Sequence, residues 1–163
     1  MRTWVVVESM WGNTRQGARA VAEGLGEDAQ VLDVAQAPRL TGDVDLLVIG
    51  GPTHAFSMSR ASTRPDAVRQ GGAATAEATG IREWLAAQER APQLAVATFD
   101  TRVASMRRLP GSAARAAARA AGRRHLGHVV GRESFYVTGV SGPLADGEVD
   151  RAREWGRTLR NAR

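Results

Sequence analysis

Three short apolar runs constrain the fold of this 163-residue chain more than any other feature: residues 4–7, 46–49 and 94–98. None of them alternates apolar with polar residues, and each ends in a turn rich in glycine or polar residues. Strands that are buried on both faces have this pattern, which is typical of parallel sheets covered by helices. Two weaker runs, residues 30–34 and 134–137, predict an edge strand and a fifth strand.

Helical patterns fall between these strands, at residues 14–25, 81–89, 112–124 and 147–159. Alternating strands and helices predict an α/β fold, a three-layer αβα sandwich. Right-handed crossovers leave few topologies for its five-stranded parallel sheet, and the order 2-1-3-4-5 is the commonest. The length favours a single domain over residues 1–163. We expect residues 52–79 to be the least structured part.

Composition excludes several kinds of chemistry. The chain has no cysteine, which rules out disulfides, thiolate catalysis and cysteine-ligated metals. All 22 basic residues are arginine, and the net charge is +5. Residues 1–100 carry 9 arginines against 12 acidic residues, whereas residues 101–163 carry 13 against 5. The basic character therefore belongs to the C-terminal third.

No targeting segment or membrane-spanning run is visible, because the longest apolar stretch falls far below the ~20 residues that a span needs. We therefore expect a cytoplasmic protein without membrane contact. His125 and His128 are three residues apart and fit one helix face, but no third ligand is nearby, so no metal site is predicted.

The loop after the first strand runs from Glu8 to Thr14 and leads directly into a helix. Free main-chain N–H groups and the helix dipole attract anions there, and Ser9 and Thr14 add hydroxyl groups. It is neither a Walker loop, because the chain has no lysine, nor a GxGxxG motif. A tight turn with a helix cap explains the same residues equally well.

Ser9, Gly12 and Thr14, followed at this spacing by Pro52 and Thr53, resemble the flavodoxin family, whose members bind FMN non-covalently. The resemblance implies a first loop around the FMN phosphate, a second against the flavin ring and a third at its pyrimidine edge. The implied FMN-binding residues are Ser9, Met10, Trp11, Gly12, Asn13 and Thr14, then Pro52, Thr53, His54, Ala55 and Phe56, and finally Phe99, Asp100, Thr101 and Arg102.

The chain departs from the family pattern in each loop. Trp11 stands where the family usually has a hydroxyl residue, and His54 stands where an aromatic ring is expected, with Phe56 near enough to substitute. The third loop lacks the family's stacking tyrosine, since the only tyrosine is Tyr136.

The resemblance implies an FMN protein in electron transfer, carrying one or two electrons. A small NAD(P)H-dependent flavin or quinone reductase remains an alternative, and so does a degenerate flavodoxin-like module that binds partner proteins without flavin. A receiver domain is excluded, because no aspartate follows the third strand and lysine is absent. Hydrolase chemistry is disfavoured because there is no nucleophile elbow.

The arginines bear on both potential and partners. Arg60, Arg64 and Arg102 lie in or beside the expected flavin loops, and cations there favour the anionic reduced flavin. We therefore expect a second reduction potential above the family's usual range, unless these side chains only face solvent. The stripe Arg115, Arg119 and Arg123 fits an acidic redox partner protein or a merely solvated helix face; nucleic acid is disfavoured because no aromatics interleave with it.

Overall fold

The computed structural model describes residues 2–74 and 79–161. Strands and helices alternate along most of this chain, in the order β1 Thr3–Val7, α1 Asn13–Leu25, β2 Ala29–Asp33, β3 Leu46–Pro52, α2 Arg64–Arg69, α3 Ile81–Ala86, β4 Ala95–Val103, a 3₁₀ turn Ala104–Met106, α4 Ala113–Arg123, β5 His128–Val137 and α5 Glu148–Asn161. Within the described residues, no helix is both long and apolar enough to cross a bilayer.

The strands form one parallel sheet of order β2-β1-β3-β4-β5. This confirms the predicted topology and places the polar strand β2 at an edge. In a parallel sheet all strands end at the same side, so the loops after β1, β3, β4 and β5 are neighbours. The predicted site residues lie at the ends of β3 and β4 and in the loops that follow β1 and β3.

Each strand sends successive side chains to opposite faces of the sheet, and both faces are covered. Val5 and Val7 belong to an apolar cluster with residues of α1 and α5. Trp4 and Val6 belong to a second cluster, with residues of α3 and α4. Two buried faces explain why the central strands are continuously apolar rather than alternating.

Helices α1 and α5 pack unusually closely, and two glycines make this possible. A Cβ atom added to Gly24 would lie 2.0 Å from the main-chain oxygen of Arg153, and one added to Gly156 would lie 2.2 Å from that of Val21. No side chain fits at either point. The C-terminal half of α1 is therefore held against α5 by backbone-to-backbone contact.

The last two strands are longer than predicted. β4 continues past residue 98 to Val103, and β5 begins at His128 instead of residue 134. Polar and charged residues interrupt both extensions, so the apolar pattern ends before the hydrogen-bonded ladder does. His128 therefore lies in a strand while α4 ends at Arg123, and the expectation that His125 and His128 share a helix face was wrong.

Two further boundaries differ from expectation. α3 ends at Ala86, three residues early, because the side-chain Nε2 of Gln88 donates to the Trp84 carbonyl that another helical turn would use. The region expected to be least structured contains α2, and its residues 75–78 lie outside the described part of the chain.

Candidate functional site

A cavity of about 230 Å³ lies at the carboxyl ends of the central strands. It brings together residues from all three loops predicted to bind a cofactor: Met10, Trp11, Asn13, Thr14, Pro52, Thr53, His54, Ala55, Thr101 and Arg102. Because these loops are far apart in sequence, their convergence follows from the sheet order rather than from local structure. Their role in binding stays a prediction.

The first loop presents main-chain N–H groups at the start of α1. Gly12 adopts a φ of 91°, which turns the chain into the helix. The Ser9 hydroxyl oxygen accepts hydrogen bonds from the N–H groups of Gly12 (3.1 Å) and Arg15 (3.3 Å). Ser9 thus organises the loop from within and does not line the cavity.

Five N–H groups of this loop have no acceptor within the described chain, those of Ser9, Met10, Trp11, Asn13 and Thr14. The last three of them lie at the start of α1. Together with the positive end of the helix dipole they form a site for an anionic group. The Ser9 oxygen caps the N–H groups of Gly12 and Arg15 and leaves these others open to water or to a ligand.

Thr14 joins the first loop to the third. Its hydroxyl lies 2.7 Å from the hydroxyl of Thr101, and both residues are buried. Either oxygen can be the donor in this bond. Since each hydroxyl has one proton, the pair uses one proton internally and keeps one for a ligand.

The second loop makes a tight turn at the cavity. His54 and Ser57 exchange two main-chain hydrogen bonds, of 2.8 and 3.0 Å, around Ala55 and Phe56. These two residues have positive φ angles of 45° and 64°, a conformation in which asparagine and glycine are the usual occupants. Non-glycine residues in such a turn store about 1–3 kcal/mol of strain each, which is typical of functional loops.

The turn separates its side chains. His54 and Ala55 line the cavity, whereas the Phe56 ring is 48% exposed and lines a smaller depression beside it, so Phe56 does not take the place of an aromatic ring inside the main cavity. Partial burial lowers the pKa of the His54 imidazole below its ordinary 6.5. The ring is therefore neutral at pH 7 and suited to lie against a flat, uncharged ligand surface.

The third loop contributes less than predicted. Because β4 continues to Val103, Phe99 and Asp100 are strand residues. Phe99 packs in the core against Phe135 and Trp155, and the Asp100 carboxylate accepts a 2.9 Å hydrogen bond from the N–H of Ala114 in α4. Neither residue lines the cavity, so their positions do not favour direct side-chain contact with a cofactor.

Arg64 also lies elsewhere than expected. Its side chain is 1% exposed and bonds to the carboxylate of Glu83 (3.0 and 3.2 Å) and to the hydroxyl of Ser59. Glu8, at the end of β1, accepts hydrogen bonds from Ser59 and from the N–H of Ile81. Burial raises the pKa of Glu8, although both hydrogen bonds oppose the shift. This network ties three segments together beneath the first loop.

The segment around α2 covers the first loop. The N–H of Ala73 donates to the carbonyl of Met10 (2.8 Å), and Met10 packs against Ala67 of α2. Gln70, which follows α2, lines the cavity. No signal in the sequence identified this contact, because a short helix between polar residues has no distinctive pattern.

The cavity has further walls that the sequence analysis missed, namely Val103, Met106, Val137 and Val140. Val137 ends β5 and Val140 follows it. Since β5 lies beside β4, the rule that ligands bind at the carboxyl ends of strands also predicts residues after β5. No group of three or more acidic or histidine side chains within the described residues is arranged to hold a metal ion.

Comparison with known proteins identifies the fold. The sequence matches no family model and no curated protein. Solved structures do match: the Streptococcus pneumoniae TIGR4 flavodoxin has a TM-score of 0.65 and 15% identity over 99% of both chains. A flavodoxin from the domain Archaea has a TM-score of 0.61 and 17% identity, covering 99% of this chain and 97% of that one. Oxidised flavodoxin 1 from Bacillus cereus has a TM-score of 0.59 and 16% identity over 96% of this chain and 95% of that one.

The chain therefore has the flavodoxin-like α/β fold, and the resemblance read from its loops is confirmed at the level of the fold. At 12–17% identity, the likeness shows architecture and not a ligand.

Proposed function

We propose that this protein binds FMN non-covalently in the cavity and works in electron transfer, carrying one or two electrons. The observation that carries the proposal is the set of N–H groups of Trp11, Asn13 and Thr14, which have no acceptor in the described chain and lie at the start of α1 in the same cavity as the other two loops. Donors of this kind fit the FMN phosphate.

The residues present fit the rest of the group as well. Trp11 and His54 bring flat side chains from the first and second loops, and Met10, Met106 and Val140 give the cavity an apolar lining. Thr101 and Arg102 supply polar groups from the end of β4. The chemistry that FMN supplies when bound is the reversible uptake of electrons, while the protein orients the ring and tunes it.

A basic face that begins near the cavity and extends along α4 to the opposite edge of the sheet favours an acidic partner protein. No acidic residue occurs between Asp100 and Glu133. The arginines on this stretch that lie in and around α4 are exposed and have no ion-pair partner within the described residues: Arg107, Arg108, Arg115, Arg119, Arg123 and Arg124. A field of one sign steers a partner of opposite charge.

The contrast with α5 supports this assignment. Arg151, Arg153 and Arg157 each pair with a carboxylate. The lack of ion-pair partners is therefore a property of the basic face and not of every arginine on the protein. Met106 and Leu109 are exposed apolar residues between the basic face and the cavity. We propose that an acidic redox protein docks here, in the cytoplasm.

Titration with FMN and with riboflavin tests the proposal, because the two ligands differ only in the phosphate. Quenching of flavin fluorescence should report binding of FMN, with riboflavin binding at least tenfold weaker, since charge-assisted hydrogen bonds are worth about 1.5–3 kcal/mol each. The variant Thr14→Ala should weaken FMN binding by about 1–2 kcal/mol. Thr158→Ala, on the exposed side of α5, is the matched control and should bind as the wild type does. Absence of FMN binding by the wild type would refute the proposal.

A further inference from the structure

The cavity contains one formal charge. Among the described residues that line it, Arg102 is the only side chain that is fully charged at neutral pH, and no aspartate or glutamate is among them. His54 is neutral there because partial burial lowers its pKa. Any ligand that gains negative charge in this cavity therefore does so beside a cation.

The contacts of Arg102 leave that charge uncompensated. Its Nη2 atom donates to two main-chain oxygens, of Met106 (2.7 Å) and Leu109 (3.0 Å), which are neutral acceptors. No carboxylate in the described chain pairs with it. Its Nε atom is buried and has no hydrogen-bond partner among the described residues. The Nε atom of Arg64 is also buried without a partner, so what distinguishes Arg102 is its unpaired charge.

The other two arginines expected near a flavin differ from it. Arg64 is paired with Glu83 and bonded to Ser59, so its charge is neutralised within the network below the first loop. Arg60 is exposed to solvent and does not line the cavity. Solvent screens a charge in that position, whereas a charge at a partly buried cavity wall is screened much less.

We propose that Arg102 raises the potential at which the bound flavin becomes fully reduced, an inference that rests on the proposed function. Full reduction adds two electrons and one proton to the oxidised ring, so the reduced ring carries one negative charge. Arg102 stabilises that charge and thereby binds reduced FMN more tightly than oxidised FMN. The reduced protein is then a milder reductant than the same site without this arginine.

Replacement of Arg102 by glutamine tests the proposal in the FMN-loaded protein. The potential is measured by anaerobic titration with dithionite against reference dyes, and the affinity for oxidised FMN by fluorescence. A unit charge within about 10 Å, at an effective dielectric constant of about 20, changes an affinity roughly tenfold. The preference for reduced over oxidised FMN should fall by that factor in Arg102→Gln, which lowers the two-electron midpoint by about 30 mV. Arg60→Gln is the control and should keep the wild-type potential.

Two further variants separate charge from structure, since Arg102 also holds the loop after β4. Arg102→Lys keeps the charge and should keep most of the potential. Met106→Glu leaves the main-chain oxygen of residue 106 available to Arg102, brings a carboxylate to the cavity wall and should lower the potential as Arg102→Gln does. It also provides the test if Arg102→Gln does not fold.

The outcomes distinguish the two proposals. If the wild type binds FMN and neither Arg102→Gln nor Met106→Glu lowers the potential, Arg102 only holds the loop after β4 in place. The inference then fails while the proposed function stands. If Arg102→Lys loses as much potential as Arg102→Gln, loop geometry and not charge is responsible, and the inference also fails. If the wild type binds no FMN, both fail together.

Discussion

The close contact between α1 and α5 makes Gly156→Ala a quantitative test of how these two helices are held together. The added Cβ atom would lie 2.2 Å from the Val21 carbonyl oxygen and 3.1 Å from the Gly24 Cα, both backbone atoms that cannot rotate away. Normal contacts are about 3.5–4 Å, so the helices must move apart by about 1 Å. Overpacking of this kind costs about 1–3 kcal/mol, and the short contact to fixed backbone places this site at or above the upper end.

The intrinsic preference of alanine for helices offsets part of that cost, by about 1 kcal/mol. We expect a net loss of about 2 kcal/mol in the free energy of unfolding, measured by urea denaturation. For a chain of this length the melting temperature should fall by roughly 4–8 °C. FMN affinity should change little, because the contact lies near the end of α1, about two to three turns from the N–H groups at its start.

Gly122→Ala is the matched control. Gly122 lies in α4, and an added Cβ atom there meets nothing within 4 Å. The same substitution should therefore stabilise the protein, by up to about 1 kcal/mol. A Gly156→Ala protein that melts at or above the wild-type temperature would refute the packing argument.

Three more predictions follow from single contacts. Asp100→Ala should cost about 1–3 kcal/mol of stability, because the buried Ala114 N–H loses its acceptor. It should change FMN affinity less than twofold. A selective loss of FMN binding in a stable protein would show instead that Asp100 takes part in binding. Gly12→Ala should reduce the free energy of FMN binding by more than it reduces the free energy of unfolding. The added Cβ atom meets nothing within 4 Å, but the φ of 91° is unfavourable for alanine by about 1 kcal/mol. Unchanged affinity would show that the loop does not hold the ligand. Burial acts to raise the pKa of Glu148, but hydrogen bonds from Arg151 and from the Tyr136 N–H outweigh it, so the net pKa is below 4.5. The stability that Glu148 contributes is therefore present above pH 4.5 and lost as the pH falls through its lowered pKa. The difference in unfolding free energy between wild type and Glu148→Gln should be largest near pH 7 and should shrink in acid. The control Glu154→Gln, at an exposed ion pair, should change stability by less than about 1 kcal/mol at any pH.

The fold was readable from the sequence because the central strands are buried on both faces. Val5, Val6 and Val7 produce a continuous apolar run only if helices cover both sides, and that condition leaves few topologies. Strand ends were less readable. Asp100 and Arg102 extend β4 through backbone hydrogen bonds, which the pattern of apolar residues does not reveal.

The candidate site was readable where it depends on sheet topology and unreadable where it depends on side-chain pairing. The convergence of Thr14 and Thr101 follows from the order of the strands. The pairing of Arg64 with Glu83 does not, because nothing in a single sequence says which of several arginines meets a carboxylate. For the same reason Arg102 was one of three equivalent arginines until its surroundings distinguished it.

The hydroxyl pair of Thr14 and Thr101 has a consequence for how ligands are exchanged. Because either oxygen can donate, rotating both hydroxyl hydrogens reverses the direction of the bond without moving a heavy atom. The free O–H donor then lies on the other loop, and the oxygen that donated before now accepts within the pair, while each hydroxyl keeps its own proton. The same wall of the cavity can meet an anionic oxygen in one state and a water molecule or a protonated oxygen in the next. The change of donor at this point therefore requires only rotation about two C–O bonds, on a timescale much shorter than that of loop motion.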